Sequence, residues 1–292
     1  MSQGTQTAVV CDTTGYLPLE LVAELGIEEV SLYVSIDGEQ VPESEISDYA
    51  EFYERLRASE TGAMTSQPSI GDFTAVYEPL LEAGREIVSV HLSAGISGTV
   101  EAAEQARDRL IAKGKGGERI HVYDSRSAAG GMGLVVVAAA KAAAAGGDAA
   151  TVLAKTQAAR DGLKIWFAVD TLEYLRRGGR IGNAQAWIGG TLRIKPILSL
   201  EYEITPVERV RTAGRAFERM VKYMHELHDN GSDGWIVQHI QAHEQAQRLI
   251  ERGREIYGSE PIFVSEVGPV GGTYAGPGMI GVGGIPRALL SY

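Results

Sequence analysis

Three short stretches concentrate side chains able to hold an anion. The first is Met64-Thr65-Ser66-Gln67-Pro68-Ser69-Ile70-Gly71-Asp72-Phe73, in which Ser69 and Asp72 have the spacing of a capping box and mark the start of a helix. Thr65 and Ser66 are then spare hydroxyls just upstream of a helix N-terminus, where free N–H groups and the positive end of the helix dipole receive anions. The second is Ser93-Ala94-Gly95-Ile96-Ser97-Gly98-Thr99, directly after an apolar run and directly before a helical pattern. Ser97 can simply cap that helix, but small hydroxyl residues at the carboxyl end of a parallel strand also sit where open α/β sheets bind ligands. Two such loops can jointly hold one carboxylate or phosphate. The third stretch runs from Asp170 to Gly182, carries Arg176, Arg177 and Arg180 around Gly178 and Gly179, and is followed by Lys195-Pro196-Ile197-Leu198. Asp170 or Thr171 caps a short helix that Gly178 ends, with arginines complementing the dipole. The same arginines and glycines also suit a phosphate held close to the backbone.

Other chemistries are less well served. The pattern G-x-S-x-G is absent, because Gly95-Ile96-Ser97-Gly98-Thr99 ends in threonine, and no base is tied by motif to Ser97. An acyl-transfer or hydrolytic enzyme using Ser97 is therefore the alternative reading, and no catalytic residue is assigned. His239 and His243 are four apart and His225 and His228 three apart, spacings that suit a metal. Without H-E-x-x-H they read as surface or end-of-element histidines, and no metal is expected. Gly276-Pro277-Gly278-Met279-Ile280-Gly281 matches G-x-G-x-x-G literally, yet too little chain follows for a βαβ unit and no acidic residue comes after it. Dinucleotide binding is rejected, and no P-loop occurs. The single Cys11 excludes an intrachain disulfide and a cysteine-built zinc site.

The elements that must position these loops follow from hydrophobic periodicity. Strand-length apolar runs are Thr7–Cys11, Val30–Ile36, Ile87–Leu92 and Ile120–Tyr123, with helical patterns at Leu19–Leu25, Tyr49–Leu56, Phe73–Ala83, Val100–Leu110 and Gly133–Ala145. Nearly continuous apolar strands, each followed by a helix, predict a parallel sheet covered on both faces. In the second half, Ile165–Val169, Pro196–Leu200, Glu203–Val210, Trp235–Ile240 and Ile262–Val267 read as strands, with helices at Ala213–His228 and His243–Tyr257. Lys195 to Arg211 reads as a hairpin, which a purely parallel sheet cannot contain. The fold class is α/β, in two domains of residues 1–160 and 161–292 that meet near Ala150–Lys164. The first is mostly parallel with flanking helices; the second has a mixed or antiparallel sheet with helices.

Charge and composition narrow the partners. The 292 residues carry a net charge of −11, which argues against a nucleic-acid groove. Met1 to Glu60 holds thirteen acids against Arg55 and Arg57, whereas Arg176 to Arg215, including Arg193, holds eight bases against three glutamates. Such asymmetry bears on partners rather than on fold. Glycine is high at 36 residues, and eight lie between Gly268 and Gly284, so that stretch needs unusual backbone angles or close approach. The uncharged, alanine-rich stretch Ser127 to Ala140 is short of the ~18 apolar residues of a membrane span. No basic leader with an apolar core is evident, and the expected location is the cytoplasm.

Taken together, Thr65-Ser66-Gln67-Pro68-Ser69, Ser97-Gly98-Thr99, Asp124-Ser125, Asp170–Gly182, Lys195–Leu198 and Gly268-Pro269 with Gly276-Pro277-Gly278 resemble, in this order, the DegV family. Val10-Cys11-Asp12-Thr13-Thr14 resembles its opening aspartate–hydroxyl signature, and the resemblance spans almost the whole chain. It implies a bacterial fatty-acid-binding protein of two α/β domains, with the acyl chain buried and the carboxylate held at the domain interface. It further implies a partner, a separate ATP-dependent fatty acid kinase that makes an acyl phosphate for phospholipid synthesis, with transient membrane contact for lipid exchange. No cofactor is implied beyond the bound fatty acid. Thr65 and Ser97 match the family's carboxylate-binding hydroxyls, with Ser66, Ser93, Thr273 and Tyr274 completing the expected head-group set. Arg176, Arg177 and Arg180 match its basic, kinase-facing segment. Tyr274 stands where the family's late G-T-H-x-G-P-G element often has histidine; it can donate a hydrogen bond but is not cationic near neutral pH. Ala94 likewise replaces a common second serine.

Overall fold

The computed structural model describes residues 7–187 and 194–291, so Arg193 lies outside the described residues. The elements begin with β1 (Thr7–Asp12), α1 (Leu19–Leu25), β2 (Glu28–Val30), β3 (Tyr33–Ile36), β4 (Glu39–Pro42), α2 (Tyr49–Ala58), β5 (Ala63–Ser66) and α3 (Ile70–Glu82). They continue with β6 (Glu86–His91), α4 (Thr99–Ala112), β7 (Ile120–Asp124), α5 (Ala129–Ala144) and α6 (Ala149–Gly162). The second half holds β8 (Lys164–Ala168), α7 (Glu173–Arg177), β9 (Lys195–Glu201), β10 (Glu203–Val210), α8 (Ala213–Asp229), β11 (Gly234–His239) and α9 (His243–Tyr257). It closes with β12 (Val264–Glu266), α10 (Pro269–Ala275) and β13 (Ile280–Ile285).

The expected α/β architecture is present. A four-stranded parallel sheet runs β2-β1-β6-β7, and a six-stranded sheet runs β10-β9-β8-β13-β11-β12. In the latter only β11 and β12 pair in parallel. The β9–β10 pair is the predicted hairpin, with a register break at Pro206, which an edge strand tolerates. Strand β1 is buried at every position because both faces are covered. Ala8 and Val10 pack toward Phe73 and Tyr77 of α3 and Ala103 of α4, while Val9 and Cys11 join the large core around α5. Burial pushes the Cys11 thiol well above its ordinary range. The segment Ala150–Lys164, where the halves were expected to meet, is α6 and the first residue of β8.

Two expectations are corrected. Val30–Ile36 is two strands: β2 pairs with β1, and after Ser31 and Leu32 the chain leaves for a small antiparallel sheet, β4-β3-β5. The turn is held by Leu32, whose N–H donates to the Thr13 hydroxyl and whose carbonyl accepts from the Glu43 N–H. Thr65 and Ser66 end strand β5, so ladder pairing to β3 positions them rather than a free loop. The unusual backbone angles and close approach expected of the glycine-rich stretch are present, in and around helix α10 and β13, the strand between β8 and β11. There Ile280 and Val282 face α8, while Gly281 and Gly283 lie against Phe167 and Ile165 on the other face.

Helix α5 touches both large sheets, β1 and β6 on one side and β11, β12 and β13 on the other. Thirteen of its sixteen residues are buried. Leu134, Val135, Val136 and Val137 supply the transfer energy, roughly 1.5–3 kcal/mol for each such side chain. Gly130 and Gly133 allow the close approach: a Cβ on Gly130 would stand 2.6 Å from Ile236, and one on Gly133 3.0 Å from Phe263.

The β9–β10 turn supplies a second tie between the halves. Tyr202 N–H donates to the Arg126 carbonyl (2.9 Å), and the Tyr202 carbonyl accepts from the Ser93 hydroxyl (2.7 Å). A Cβ at Gly95 would collide with that same Tyr202 backbone, whereas one at Gly98 would meet only the end of the Gln67 side chain. Neither glycine is left-handed, so alanine isolates the contact. Gly95→Ala is expected to lower stability by about 1–3 kcal/mol in denaturant titration, and Gly98→Ala by clearly less. Equal effects would show that the turn does not dock through Gly95.

Candidate functional site

A cavity of about 280 Å³ opens at the carboxyl ends of β1 and β6, against the α5-side face of the six-stranded sheet. Its wall is mainly aliphatic and aromatic, with Ile165 and Phe167 from β8, Leu175, Leu200 and Met279 prominent. The alternate residue of β8, Trp166, turns away and stacks on Tyr223 of α8 at 3.8 Å between centroids. One face of the strand thus serves the cavity and the other the core.

Thr65, Ser66, Ser97, Arg180 and Tyr274 all lie on this wall. Thr65 and Tyr274 share a hydrogen bond of 2.6 Å between their hydroxyls. Ser97 does not serve as the helix cap; its Oγ is 2.9 Å from the Thr99 hydroxyl and accepts weakly from the Thr99 N–H at 3.3 Å. The Ser66 hydroxyl accepts from Gln40. The predicted capping box is present, with Ser69 and Asp72 satisfying each other's backbone N–H. Four of the polar wall residues are shared with two surface grooves: Ser97 and Arg180, beside Ile96 and Ile204, with one, and Thr65, Arg180 and Tyr274 with the other. Hydroxyls and one guanidinium therefore stand at the mouth, with the aliphatic wall behind them.

Ser93 and Thr273 are not on the wall. Ser93 is buried under Tyr202, and the Thr273 hydroxyl donates to Pro269 within α10. The arginine cluster is divided by a helix end. Arg176 and Arg177 both pair with Glu173, at 2.6 and 2.8 Å, and their guanidinium groups hold its carboxyl well below the usual range. Gly179, at φ +68°, then reverses the chain in a Schellman turn, with the Arg180 N–H reaching the Leu175 carbonyl. Arg180 accordingly points back across the cavity. It donates to the carbonyls of Ile96 (3.2 Å) and Gly178 (2.9 Å) and lies 5.3 Å from the Tyr274 ring centroid. The ring of Tyr274 rests on Gly178, and that of Tyr174 on Gly276, whose φ is +73°.

Sequence reasoning missed Tyr16, Gln67 and Gln238. Gln238 is buried on β11, and its Oε1 accepts from Gly130 N–H (3.0 Å), capping α5 from the other half of the chain. Tyr16 donates to Glu43 Oε1 (2.9 Å) and accepts from the Gly271 N–H (2.7 Å). Glu43 also accepts from the Thr13 hydroxyl and the Val270 N–H, which anchors the start of α10 and so places Tyr274. Desolvation outweighs these donors and pushes the Glu43 carboxyl up to about 7.

A relay with the composition of a hydrolase triad exists elsewhere. Asp12 Oδ2 is 3.1 Å from His91 Nδ1, and His91 Nε2 is 2.7 Å from Ser89 Oγ, which also meets the Tyr77 hydroxyl. All are fully buried on the α3 side of the parallel sheet, so the chain of bonds ties β1, β6 and α3 together. Among the described residues, Ser97 has no such histidine partner.

Fold and site together define a class: α/β proteins of two domains that enclose an apolar cavity behind a hydroxyl-lined mouth. The chain belongs to the DegV family, described as uncharacterised proteins, whose pattern matches residues 6–287. A DegV domain-containing protein of Clostridium acetobutylicum is 37% identical over 277 residues, covering 94% of this chain and 95% of that one. Among solved structures, a DegV family protein of Thermus thermophilus, described by its fatty acid binding, superposes with TM-score 0.85 at 31% identity, covering 96% and 99% of the two chains. DegV of Bacillus subtilis, described as a fatty acid binding protein, gives TM-score 0.85 at 31% identity over 97% and 100%.

The raised Glu43 carboxyl has a pH signature. Its native form holds a proton that the unfolded chain, near ~4.3, has lost. Its contribution to stability is therefore complete below about pH 4 and is lost as pH rises through about 7, a change of order 3 kcal/mol. Glu29, also raised to about 7 by desolvation, acts in the same sense, so the comparison must be between parent and Glu43→Gln. In thermal unfolding from pH 5 to 8, the parent is expected to lose stability relative to Glu43→Gln as pH rises. A pH-independent difference would mean that Glu43 titrates as an ordinary carboxyl.

Proposed function

We propose that the protein binds a long-chain fatty acid, with the acyl chain in the apolar cavity and the carboxylate at Thr65, Ser97, Tyr274 and Arg180. It presents that carboxylate to a separate ATP-dependent fatty acid kinase, which forms an acyl phosphate for phospholipid synthesis. The protein itself performs no catalysis, works in the cytoplasm, and meets membranes only transiently to exchange lipid. Its domains divide near residue 160. The observation that carries this reading is a single cavity joining an aliphatic wall to a mouth of hydroxyls and one arginine. The fatty acid binding described for the Thermus thermophilus and Bacillus subtilis relatives supports it. No helix among the described residues is long and apolar enough to cross a membrane.

The energetics agree. Each buried methylene is worth about 0.8 kcal/mol, and a carboxylate gains roughly 1.5–3 kcal/mol from each charge-assisted bond. The tail supplies affinity and the mouth supplies orientation. Arg180 at the mouth offers the positive charge that Tyr274 does not. The groove lined by Met64, Arg177, Arg180 and Tyr274 is where a kinase would meet the head group.

Protein purified without added lipid is expected to release close to one equivalent of fatty acid when denatured and extracted for mass spectrometry. Lipid-free protein that also fails to take up added acid would refute the assignment. Thr65→Ala and Ser97→Ala should each weaken fatty-acid retention without lowering the melting temperature of the lipid-free protein, and should combine non-additively if both hold one carboxylate. A Ser97→Ala variant with unchanged affinity and lower stability would assign that hydroxyl to its Thr99 contact alone. Arg180→Ala should reduce retention, whereas Arg177→Ala should leave lipid content unchanged. Arg177→Ala should instead slow phosphorylation by the kinase and flatten its salt dependence. Equal turnover of Arg177→Ala and parent at low salt would remove Arg177 from docking.

A further inference from the structure

On the opposite face of the six-stranded sheet from the cavity, three residues from three elements converge. His239 ends β11, His243 opens α9 and Glu266 ends β12. His239 and Glu266 are register partners in the parallel β11–β12 pair, which sets their side chains side by side. One ring nitrogen from each histidine and one carboxylate oxygen all lie within 4.8 Å of one another. His243 Nε2 is already 3.6 Å from Glu266 Oε1, and the two imidazole rings are 4.7 Å apart between centroids.

The bonding of His239 points to a missing partner. The residue is only 6% exposed, and its Nδ1 is buried with no hydrogen-bond partner. A buried polar nitrogen left unpaired costs roughly 1–3 kcal/mol, a cost that a bond to a ligand would remove. Glu266 is oriented from outside by Gln241, whose Nε2 donates to Oε1 at 2.8 Å, the kind of outer hydrogen bond that fixes a metal-binding carboxylate.

We propose that His239, His243 and Glu266 form a binding site for a divalent cation of the zinc type. Two imidazoles and a carboxylate suit zinc and its borderline neighbours better than magnesium or calcium, which take oxygen ligands. Ligand bonds of about 2.0–2.1 Å at tetrahedral angles put ligand atoms ~3.4 Å apart. The His243–Glu266 pair is close to that spacing, and His243, two-thirds exposed, is free to swing the remaining distance. The exposed side leaves a fourth position to water. The ion clips the N-terminus of α9 to the ends of β11 and β12.

The test uses the full chain without a polyhistidine tag, stripped with chelator and titrated with zinc chloride alone by calorimetry and by dialysis with elemental analysis. Close to one equivalent should bind, and zinc should raise the melting temperature of the parent. His243→Ala, at an exposed position that folding does not depend on, should weaken binding at least tenfold and abolish the thermal shift; Glu266→Gln should behave alike. Fatty-acid content should be the same in all three proteins, which separates this site from the cavity. Absence of zinc binding by the parent overturns the proposal, as does binding that persists undiminished in His243→Ala and Glu266→Gln.

Discussion

The packing of α5 is the constraint on which the rest of the molecule depends. A helix apolar on every side must be covered on every side, and here two sheets from different halves of the chain do so together with helix α6. Its small residues set how closely they approach. Gln238 reaches across from β11 to cap its first turn, so a polar bond fixes the same junction that apolar contacts close. Once α5 is seated, the carboxyl ends of β1 and β6 face the side of β8 that carries Ile165 and Phe167, and the space left between them is the cavity.

The mouth draws its groups from several elements, each held by its own device. Thr65 is fixed by the ladder of a small sheet, Tyr274 by the anchoring of α10 through Glu43 and Tyr16, and Arg180 by a left-handed glycine. The rings of Tyr174 and Tyr274 rest on glycines of each other's segments, which locks α7 to α10. The three arginines consequently have unequal electrostatic availability. Arg176 and Arg177 are already engaged by one carboxylate, and Arg180 gives two of its N–H groups to carbonyl oxygens and has no carboxylate partner among the described residues.

Amphipathic elements with clear ends were legible in the sequence. Helix Leu19–Leu25 and helix His243–Tyr257 were read to the residue because periodicity and flanking residues agreed. Strand β13 was not legible, since glycine has no hydrophobic signature and its reason for being there, the close approach of other elements, is a tertiary fact. Strands β4 and β5 are short and polar, and pair only because β3 offers two edges. Within the site, Thr65 and Ser97 were legible as local motifs. Ser93 has the same chemistry by sequence, but a carbonyl 109 residues away takes its hydroxyl. Tyr16 and Gln238 belong to no local pattern, so only the assembled fold could bring them forward.

The position of β13 carries a consequence for how the chain is made. β8 and β11 each border it and do not border one another, so a strand that leaves the ribosome after both of them is the one that joins the two parts of the six-stranded sheet. Until Ile280–Ile285 emerges, the β8-β9-β10 part and the β11-β12 part have no edge in common, and Met279 is missing from the cavity wall. Pairing across such long sequence separation is slow relative to local hairpins and helices. A nascent chain that has not yet released β13 therefore lacks both the join of the sheet and part of the cavity wall, and emergence of that strand is what closes the site.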